Sequence, residues 1–472
     1  MKIISRHFIN GRFVDSHGQE TADVHNPATG ELIGRSVRGD EVDTERAIAA
    51  AKAAFPAWSK TTLEERKEYL QRIADALTER MDELVAMTVA EFGAPASFAG
   101  YIDNQARDFF LLAQDVLKPE NFEEVRGNAT VTKVPAGVAG LLTPWNGNPW
   151  FIAGKTASAL AAGCTVIIKP SELSTLESQI LMECFEKAAL PPGVVNVVNG
   201  PGSVVGNTIT RSADVQKISF TGSTKVGKQI NHDSTETMKR ITLELGGKSP
   251  TVILDDADMN KAVQFALTAG LINTGQACIA GTRILVPESR LEEAKAALKA
   301  GVEALQIGDP NAPDTVIQPM VSQGHYERVQ SYIRKGIEEG AEILVGGEGK
   351  PEGFEVGNYV KPTVFVGVTN GMTIAQEEIF GPVLSVITYR DDEEAVAIAN
   401  DVEYGLHAYV YGEDQDRARG VANRIVAGRV MINELFDDPT NPFGGFKMSG
   451  YGREFGVYGL NAYLETRTVF AN

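Results

Sequence analysis

The chain has 472 residues, of which 43% are hydrophobic and 22% charged, so it has room for two or three folded domains with large cores. Its formal net charge of -18 argues against a nucleic-acid or anionic-membrane partner, because both need a basic surface. Three scattered cysteines are too few for a disulfide framework or a metal cluster, and no run has the apolar length of a signal core or a membrane span. We therefore expect a cytoplasmic protein without a metal site.

The first predicted elements are a β-hairpin and a set of helices. An Asn-Gly turn lies between apolar residues in 8–14, and alanine-rich helical periodicity then runs from about Asp43 to Leu117. Asp43 is predicted to cap the first helix, and Pro56 is predicted to stop it.

Short β-branched runs alternate with helical segments from Gly137 onward, which predicts an α/β fold with a parallel sheet. The strands predicted there span 138–142, 165–168, 194–198 and 218–220. A second α/β series begins near Thr251 and predicts a second domain. Its predicted elements are strands at 283–286 and near Val364, Leu384 and Tyr409, and a helix over 291–305. Residues 463–470 alternate like an edge strand. Residues 131–134 could pair with this strand or with another subunit.

One cysteine, Cys278, lies between two glycines just after a predicted helix over 258–272 ends at an Asn-Thr-Gly break. Breaks of this kind often carry function, so Cys278 is the candidate nucleophile. A free cysteine is more often a small buried hydrophobic residue, and the thiol alone leaves that alternative open. About thirty residues upstream, Glu244 precedes a pair of glycines, where a carboxylate could act as a base on the thiol or on a nearby water. The two segments together predict covalent catalysis at a carbonyl.

A strand, a glycine turn and a helix start follow one another in 218–227, so backbone N–H groups at Gly222 and Ser223 could bind a phosphate. The segment lacks the GxGxxG spacing of dinucleotide folds and is a weak signal by itself. Lys169 and Glu172 follow another strand at the carboxyl edge of the sheet, where open α/β sheets bind ligands. Glu172 could hold ribose hydroxyls, or it could cap the helix that begins beside it.

Seven short motifs occur in order along the chain: Pro144-Trp145-Asn146, Lys169-Pro170-Ser171-Glu172, Phe220-Thr221-Gly222-Ser223, Glu244-Leu245-Gly246-Gly247-Lys248, Gly275-Gln276-Ala277-Cys278, Glu377-Glu378-Ile379-Phe380-Gly381-Pro382 and Pro442-Phe443-Gly444-Gly445-Phe446-Lys447-Met448-Ser449-Gly450. With them the chain resembles the NAD(P)-dependent aldehyde dehydrogenase superfamily over essentially its whole length. The resemblance implies an α/β fold with a Rossmann-type NAD-binding domain at 1–117 and 136–246, and a catalytic domain at 247–450. It further implies a small oligomerisation sheet from 118–135 and 451–472, and a homodimer or homotetramer.

The resemblance also implies catalytic roles. Cys278 would attack an aldehyde carbon as a thiolate, and the Asn146 amide with the Cys278 N–H would form the oxyanion hole. Glu244 would activate the water that hydrolyses the resulting thioester. Lys155 matches a family lysine near the active site, with a packed stem and a solvated head group as the alternative. None of the six histidines falls in a motif, so a cysteine–histidine pair explains the pattern less well.

The implied cofactor contacts are Trp145, Lys169, Glu172, Gly222, Ser223, Glu378 and Phe380. Lys169 would reach ribose hydroxyls, Ser223 the pyrophosphate and Glu378 the nicotinamide ribose. Glu172 would accept hydrogen bonds from the adenine ribose and repel the extra phosphate of NADP. The resemblance therefore favours NAD and leaves some use of NADP open.

The chain departs from many relatives where the substrate would lie. Gly147 stands where an aromatic residue is common, and Gly154 replaces another large aromatic, which predicts a wide pocket that Trp150 and Phe151 partly refill. Phe436 lies among acidic residues near the predicted mouth, which favours a cationic aldehyde. We expect a bulky, aromatic or amino aldehyde as substrate.

Two other functions stay open. A CoA-acylating semialdehyde dehydrogenase would pass the thioester to CoA, although a water-activating Glu244 has no evident purpose there. A catalytically inactive, cofactor-binding structural protein would keep the scaffold, although the joint presence of Cys278, Glu244 and Asn146 argues against it.

Overall fold

Two large sheets, each packed against helices, and three small sheets make up the fold of the computed structural model, which describes residues 1–435 and 438–471. The elements up to residue 135 are β1 (Lys2–Ile4), β2 (Arg6–Ile9), β3 (Arg12–Asp15), β4 (Thr21–His25), β5 (Leu32–Val37), α1 (Glu41–Trp58), α2 (Leu63–Glu79), α3 (Met81–Phe92), α4 (Ala96–Asp115), β6 (Glu123–Arg126) and β7 (Ala129–Pro135). Those up to residue 244 are β8 (Val138–Leu142), α5 (Asn148–Ala162), β9 (Thr165–Lys169), α6 (Thr175–Lys187), β10 (Val195–Val197), α7 (Asn207–Arg211), β11 (Lys217–Thr221), α8 (Thr224–Asp233) and β12 (Arg240–Glu244).

The remaining elements follow Gly246 and Gly247. They are β13 (Pro250–Ile253), α9 (Met259–Leu271), β14 (Arg283–Pro287), α10 (Leu291–Glu303), α11 (Gln323–Glu338), β15 (Glu342–Val345), β16 (Thr363–Val366), α12 (Thr373–Gln376), β17 (Val383–Tyr389), α13 (Asp392–Asn400), β18 (Tyr404–Gly405), β19 (His407–Tyr411), α14 (Gln415–Ala422), β20 (Arg429–Ile432), β21 (Phe446–Lys447), β22 (Gly450–Tyr451), α15 (Gly456–Asn461) and β23 (Leu464–Phe470). The predicted α/β class is confirmed.

The first large sheet has the order β22-β12-β11-β8-β9-β10-β2-β3. Its strands from β12 to β10 are parallel, as predicted, and the β2–β3 hairpin closes one edge. Every residue of β8, β9 and β11 is buried. Burial on both faces explains the continuous apolar run of β8, whereas β11 alternates apolar residues with the buried polar residues Lys217, Ser219 and Thr221.

The second large sheet has the order β15-β16-β17-β14-β13-β19-β20 and is parallel except at β15. The predicted strands near 283–286, Val364, Leu384 and Tyr409 all lie in it. Helix α9 is capped by Asp258, whose carboxylate accepts hydrogen bonds from the backbone N–H groups of Asn260 and Lys261. This helix leads straight into the cysteine segment.

The small sheet of β23, β7 and β6 joins distant parts of the chain. In it, β23 pairs antiparallel with β7 from Leu464–Pro135 to Phe470–Ala129. The predicted partnership of the two strands is confirmed within one chain. Strand β22 instead extends the first large sheet beside β12, and α15 packs on α5, so the segment after 450 contributes to more than the small sheet. The domain boundaries proposed above stay a prediction.

The predicted ends of the first helix are wrong at both sides. Asp40 is the cap of α1, and its carboxylate accepts from the N–H groups of Val42 and Asp43. Asp43 is the third residue of the helix and closes a capping box, and two acids three residues apart cannot be told apart from sequence. Pro56 lies inside the last turn, where the helix continues because Trp58 is buried in the core.

Three carboxyl groups are buried together where α3, α4 and α6 meet. Glu91 accepts hydrogen bonds from the N–H groups of Leu176 (2.9 Å) and Glu177 (2.8 Å), so it holds the start of α6. Asp103 accepts from the Thr88 hydroxyl (2.9 Å). Burial raises the pKa of Glu91 and of Asp103 to about 7, and burial with the neighbouring acids raises the pKa of Glu177 well above its usual value.

Replacing Asp103 with asparagine is expected to flatten the pH dependence of stability. Because the folded-state pKa of Asp103 is raised from 3.8 to about 7, the folded state holds a proton that the unfolded state has lost, so stability falls as pH rises through this window. The Asp103→Asn variant lacks this loss, of which about 3 kcal/mol falls above pH 5. Denaturant unfolding at about pH 5 and about pH 8 measures it. Asp108→Asn, at a partly exposed position on the same helix, should keep the wild-type slope, and an equal slope in Asp103→Asn would contradict the assignment.

Within the two described ranges, no helix combines the length and the apolar character needed to cross a bilayer.

Candidate active site

The predicted site residues of the first sheet follow the carboxyl ends of its parallel strands. Asn146 comes after β8, Lys169 ends β9, Ser223 comes after β11 and Glu244 ends β12. Carboxyl ends of parallel strands share one edge, which is where open α/β sheets bind ligands. The sheet thus gathers residues that are far apart in the chain.

The cysteine segment starts with three consecutive residues in the left-handed region. Asn273 (φ 52°), Thr274 (φ 54°) and Gly275 (φ 76°) turn the chain sharply after α9. A β-branched residue such as Thr274 is rarely found there, and such strain concentrates at functional sites. The Thr274 hydroxyl accepts a hydrogen bond from the Gln318 N–H (2.9 Å), which helps to hold the turn. Only glycine fits at 275, because a Cβ would collide with the carbonyl of Gly381.

Gln276 anchors the cysteine segment, and the sequence alone did not reveal this role. Its buried amide accepts from the Val321 N–H (3.0 Å) and donates to the Pro319 carbonyl (3.2 Å). The Gln276 carbonyl in turn accepts a hydrogen bond from the Asn146 amide (3.0 Å). The structure therefore brings Asn146 to the cysteine loop, two residues before Cys278.

Cys278 differs from the other two cysteines in its exposure. Cys164 and Cys184 are fully buried, whereas Cys278 is partly exposed, and all three are free thiols. Burial of the sulfur, together with the negative charges of Glu378 and Glu244, raises the pKa of Cys278 to about 12. The free protein therefore holds a thiol at neutral pH, and a nearby base has to take its proton.

Glu244 is buried, and neither of its carboxylate oxygens has a hydrogen-bond partner in the described part of the chain. Burial, reinforced by the charge of Glu454, raises the pKa of this carboxyl well above its usual value, while Lys155 acts in the opposite direction. A buried carboxylate that lacks partners and has a raised pKa has the properties of a general base.

Lys155 is buried with its head group inside the protein, so the solvated-head alternative is wrong. Its ammonium donates to the Ser219 hydroxyl (3.0 Å) and pairs with the carboxylate of Glu454. Glu454 also accepts from Ser219 (2.9 Å). Sequence reasoning missed Glu454 because its partner lies about three hundred positions away in the chain.

Glu378 and Phe380 are held by one face of α11. His325 donates through Nε2 to the Phe380 carbonyl (2.6 Å), and Arg328 donates to the Glu378 carbonyl (2.8 Å). Tyr332 donates to the carboxylate of neighbouring Glu377 (2.7 Å). Spacings of three and four residues place these donors on the same side of a helix.

The side chain of Glu378 points towards Gly246 and Gly247, the glycine pair that follows Glu244. Its carboxylate accepts a hydrogen bond from the Gly247 N–H (2.9 Å), and burial raises its pKa to about 7. Burial lowers the pKa of His325 to about 4, so this ring is neutral and can donate as described. The Trp145 ring packs edge-on against both His325 and Phe380 with centroids 5.4 Å apart. No motif had singled out His325.

At the other cofactor positions, Ser223 caps α8 and accepts from the Val226 N–H (3.3 Å), directly after Gly222. Burial lowers the pKa of Lys169 to about 8. Glu172 pairs with Arg38 (2.7 Å), and α6 begins at Thr175 without a side-chain cap. The helix-cap alternative for Glu172 is therefore wrong.

The predicted substrate residues lie along α5. Trp150 donates to the Gln105 amide oxygen (3.3 Å) and packs edge-on against Phe151 (4.8 Å). A Cβ placed on Gly147 would meet only Ile102 and Phe151, at 3.9 Å, so this glycine leaves space beside them. Phe436 lies outside the described residues.

The expected widening at Gly154 is wrong. A Cβ placed there would lie 3.0 Å from the ring of Phe455, which fills the space. Sequence reasoning could not see this ring, because Phe455 comes from a distant part of the chain.

Across residues 1–435 and 438–471, no three His, Cys, Asp or Glu side chains are grouped in a way that could hold a metal ion.

Two α/β units that bring a partly exposed thiol, an amide and a buried carboxylate together are typical of enzymes that act on carbonyl compounds through a covalent cysteine. A sequence model described as the aldehyde dehydrogenase family matches residues 13–469. The chain belongs to the aldehyde dehydrogenase family, and the predicted enzyme class is confirmed.

Relatives and solved structures agree with this assignment. A Staphylococcus haemolyticus protein named "Putative aldehyde dehydrogenase" is 44% identical over 470 residues, covering 99% of each chain. The structure of aldehyde dehydrogenase C from Pseudomonas syringae with NAD+ and octanal has a TM-score of 0.97 at 43% identity, covering 99% of this chain and 96% of that one. Betaine aldehyde dehydrogenase from Staphylococcus aureus with NAD+ has a TM-score of 0.96 at 35% identity, covering 99% and 94%.

Proposed function

We propose that the chain oxidises an apolar aldehyde to its carboxylic acid with NAD, through a thioester on Cys278. The observation that carries the proposal is that three side chains act on the cysteine loop. The Asn146 amide donates a hydrogen bond to the Gln276 carbonyl, and the charges of Glu244 and Glu378 both act on the pKa of Cys278. A nucleophile, an oxyanion donor and a base are the groups that acyl chemistry at a carbonyl needs.

The residues at the sheet edge fit NAD. The buried hydroxyl of Thr221 has no hydrogen-bond partner among the described residues, and it lies beside the Gly222–Ser223 turn that opens α8. A phosphate there could accept this hydroxyl hydrogen and the N–H groups of the helix start. Lys169 and Glu172 would hold the adenosine end, and Glu378 the nicotinamide ribose. NAD, when bound, supplies the acceptor of the hydride that leaves the substrate.

The proton transfers fall to the chain's own residues. Glu244 takes the proton of the Cys278 thiol as the sulfur attacks the aldehyde carbon, and the new oxyanion accepts hydrogen bonds from the Asn146 amide and the Cys278 N–H. Glu244 then passes this proton to solvent, and after oxidation its carboxylate accepts a second proton from the water that attacks the thioester. The carboxylic acid leaves, and Cys278 regains its proton. The charges of the Lys155–Glu454 pair act on the pKa of Glu244, and we assign to the pair the electrostatic tuning of that base.

The substrate side supports an apolar aldehyde. Trp150 and Phe151 contribute aromatic surface, and Gly147 leaves room next to Ile102. The Pseudomonas syringae relative was solved with octanal, which agrees with an apolar chain, and the Staphylococcus aureus relative is named for betaine aldehyde. An aromatic aldehyde is one form of this apolar substrate. A cationic amino aldehyde is a second, separate candidate, which the acidic residues next to Phe436 in the sequence favour.

A homodimer or homotetramer is also proposed. Strand β6 is exposed at all four residues at one edge of the small sheet, and exposed strand edges are usually covered by another chain or blunted.

The function is tested by NADH formation with a panel of aliphatic, aromatic and amino aldehydes. We expect turnover with NAD to exceed turnover with NADP, the product to be the free acid, and added CoA to change neither rate nor product. An acyl-CoA product would support the CoA-acylating alternative instead. The absence of turnover with every aldehyde would favour the inactive scaffold.

A further inference from the structure

A cavity of about 140 Å³ lies beside the proposed substrate residues and includes none of the proposed catalytic groups. Its lining is mainly apolar and comes from α4 (Leu112, Val116), α5 (Ala157) and the segment at α15 (Val457, Leu460), with Ser158 among the polar residues. Asp115 and Thr440 also line it, and a cavity of roughly this volume has room for a benzene-sized group. We name it the side cavity.

A wall of two rings closes the side cavity towards the substrate residues. Phe455 stacks on Phe109 with centroids 4.8 Å apart and an interplanar angle of 21°. Phe455 also packs against Trp150 and Phe443, with ring centroids 5.1 Å and 5.9 Å away. Neither of these two residues lines the side cavity. The thickness of one ring therefore separates the cavity from Trp150.

The backbone at Phe455 is strained. Its φ is +69°, a region that non-glycine residues rarely adopt, and φ of the next residue, Gly456, is +53°. A Cβ at Gly456 would collide with the Thr440 carbonyl, so the chain has to turn here. On the inner side, Gly154 leaves the space that the ring occupies. The surrounding contacts thus hold the ring against the side cavity.

We propose that Phe455 is a specificity-determining residue: its ring excludes long or bulky aldehydes from the side cavity, and a smaller residue there turns the cavity into a subsite for an apolar tail. The occupant is the distal part of the substrate itself, because the cavity adjoins Trp150 and its lining is apolar. This inference rests on the proposed function. It adds a limit on substrate size that the catalytic residues do not set.

The test compares kcat/KM for butanal, hexanal and decanal in wild type, Phe455→Leu and Phe455→Ala. The ratio of decanal to butanal should rise at least about tenfold in Phe455→Ala, and less in Phe455→Leu, since even one added methylene in a fitting pocket changes kcat/KM by about that factor. Leu112→Ala is the matched control: it enlarges the side cavity without opening the wall, so its ratio should stay at the wild-type value. Adding Ala157→Leu to Phe455→Ala fills the cavity and should reverse the gain.

Two results would overturn the inference. One is an unchanged decanal-to-butanal ratio in a Phe455 variant that remains active on butanal. The other is an equal rise in Leu112→Ala. If Phe455→Ala proves inactive or unfolded by its thermal midpoint, the ratio in Phe455→Leu decides. Wild-type protein that oxidises none of the aldehydes would contradict the proposed function, so the two failures are distinguishable.

Discussion

Replacing Cys278 with alanine is expected to abolish aldehyde oxidation, with kcat/KM reduced by at least about 10⁴-fold, because no other group can form the thioester. The variant should fold normally, since the residue is small and partly exposed. NADH formation measures the loss, and cofactor binding together with the thermal midpoint shows that the site is otherwise intact.

The other two cysteines provide the control for this experiment. Cys184→Ala removes a fully buried thiol beside the Ala76 carbonyl, so it should lower stability while keeping activity. If Cys278→Ala kept wild-type turnover, or Cys184→Ala lost it, the assignment of the nucleophile would be wrong.

Replacing Glu244 with glutamine is expected to lower steady-state turnover by at least about 10²-fold, because glutamine cannot accept a proton from the attacking water. If thiol deprotonation finds another acceptor, each subunit should still release about one NADH in a fast first turnover and then stall as the thioester. Stopped-flow measurement of NADH shows the burst, and hydroxylamine, which attacks thioesters without a base, should restore turnover.

The pH profile gives a second readout of Glu244. Because burial raises the pKa of this carboxyl well above its usual value, the fraction in the base form still grows with pH above the ordinary carboxyl range, and the wild-type rate should rise with it. The rise should be absent in Glu244→Gln. Full steady-state activity of Glu244→Gln with an unchanged profile would show that another group activates the water.

Strands were the most predictable part of the fold. The run 138–142 matched β8 residue for residue, since this strand is buried at every residue and carries no polar side chain. The first helix shows the limit of local signals. Both Asp40 and Asp43 satisfy the pattern of a cap, and only the hydrogen bonds to Val42 and Asp43 decide between them.

Parts of the site depended on contacts that no local pattern contains. The break at 273–275 marked the cysteine loop in the sequence, but the anchoring of that loop by the Gln276 side chain became visible only in three dimensions. The sequence is compatible with Lys155 at the surface, and only the structure shows its ion pair with Glu454. In the same way, Gly154 predicted an opening that Phe455 closes.

The pairing of late segments with early ones has a consequence for biosynthesis. Strand β22 joins β12, β23 joins β7, and Glu454 neutralises buried Lys155, so residues 450–470 complete structures begun between 129 and 244. A ribosome that has released only the first half of the chain exposes an unfinished sheet and a lysine without its counter-ion. Contacts of such sequence separation slow folding and leave nascent chains open to aggregation. The first large sheet and the small sheet with β23 can therefore be completed only after translation has passed the last strand.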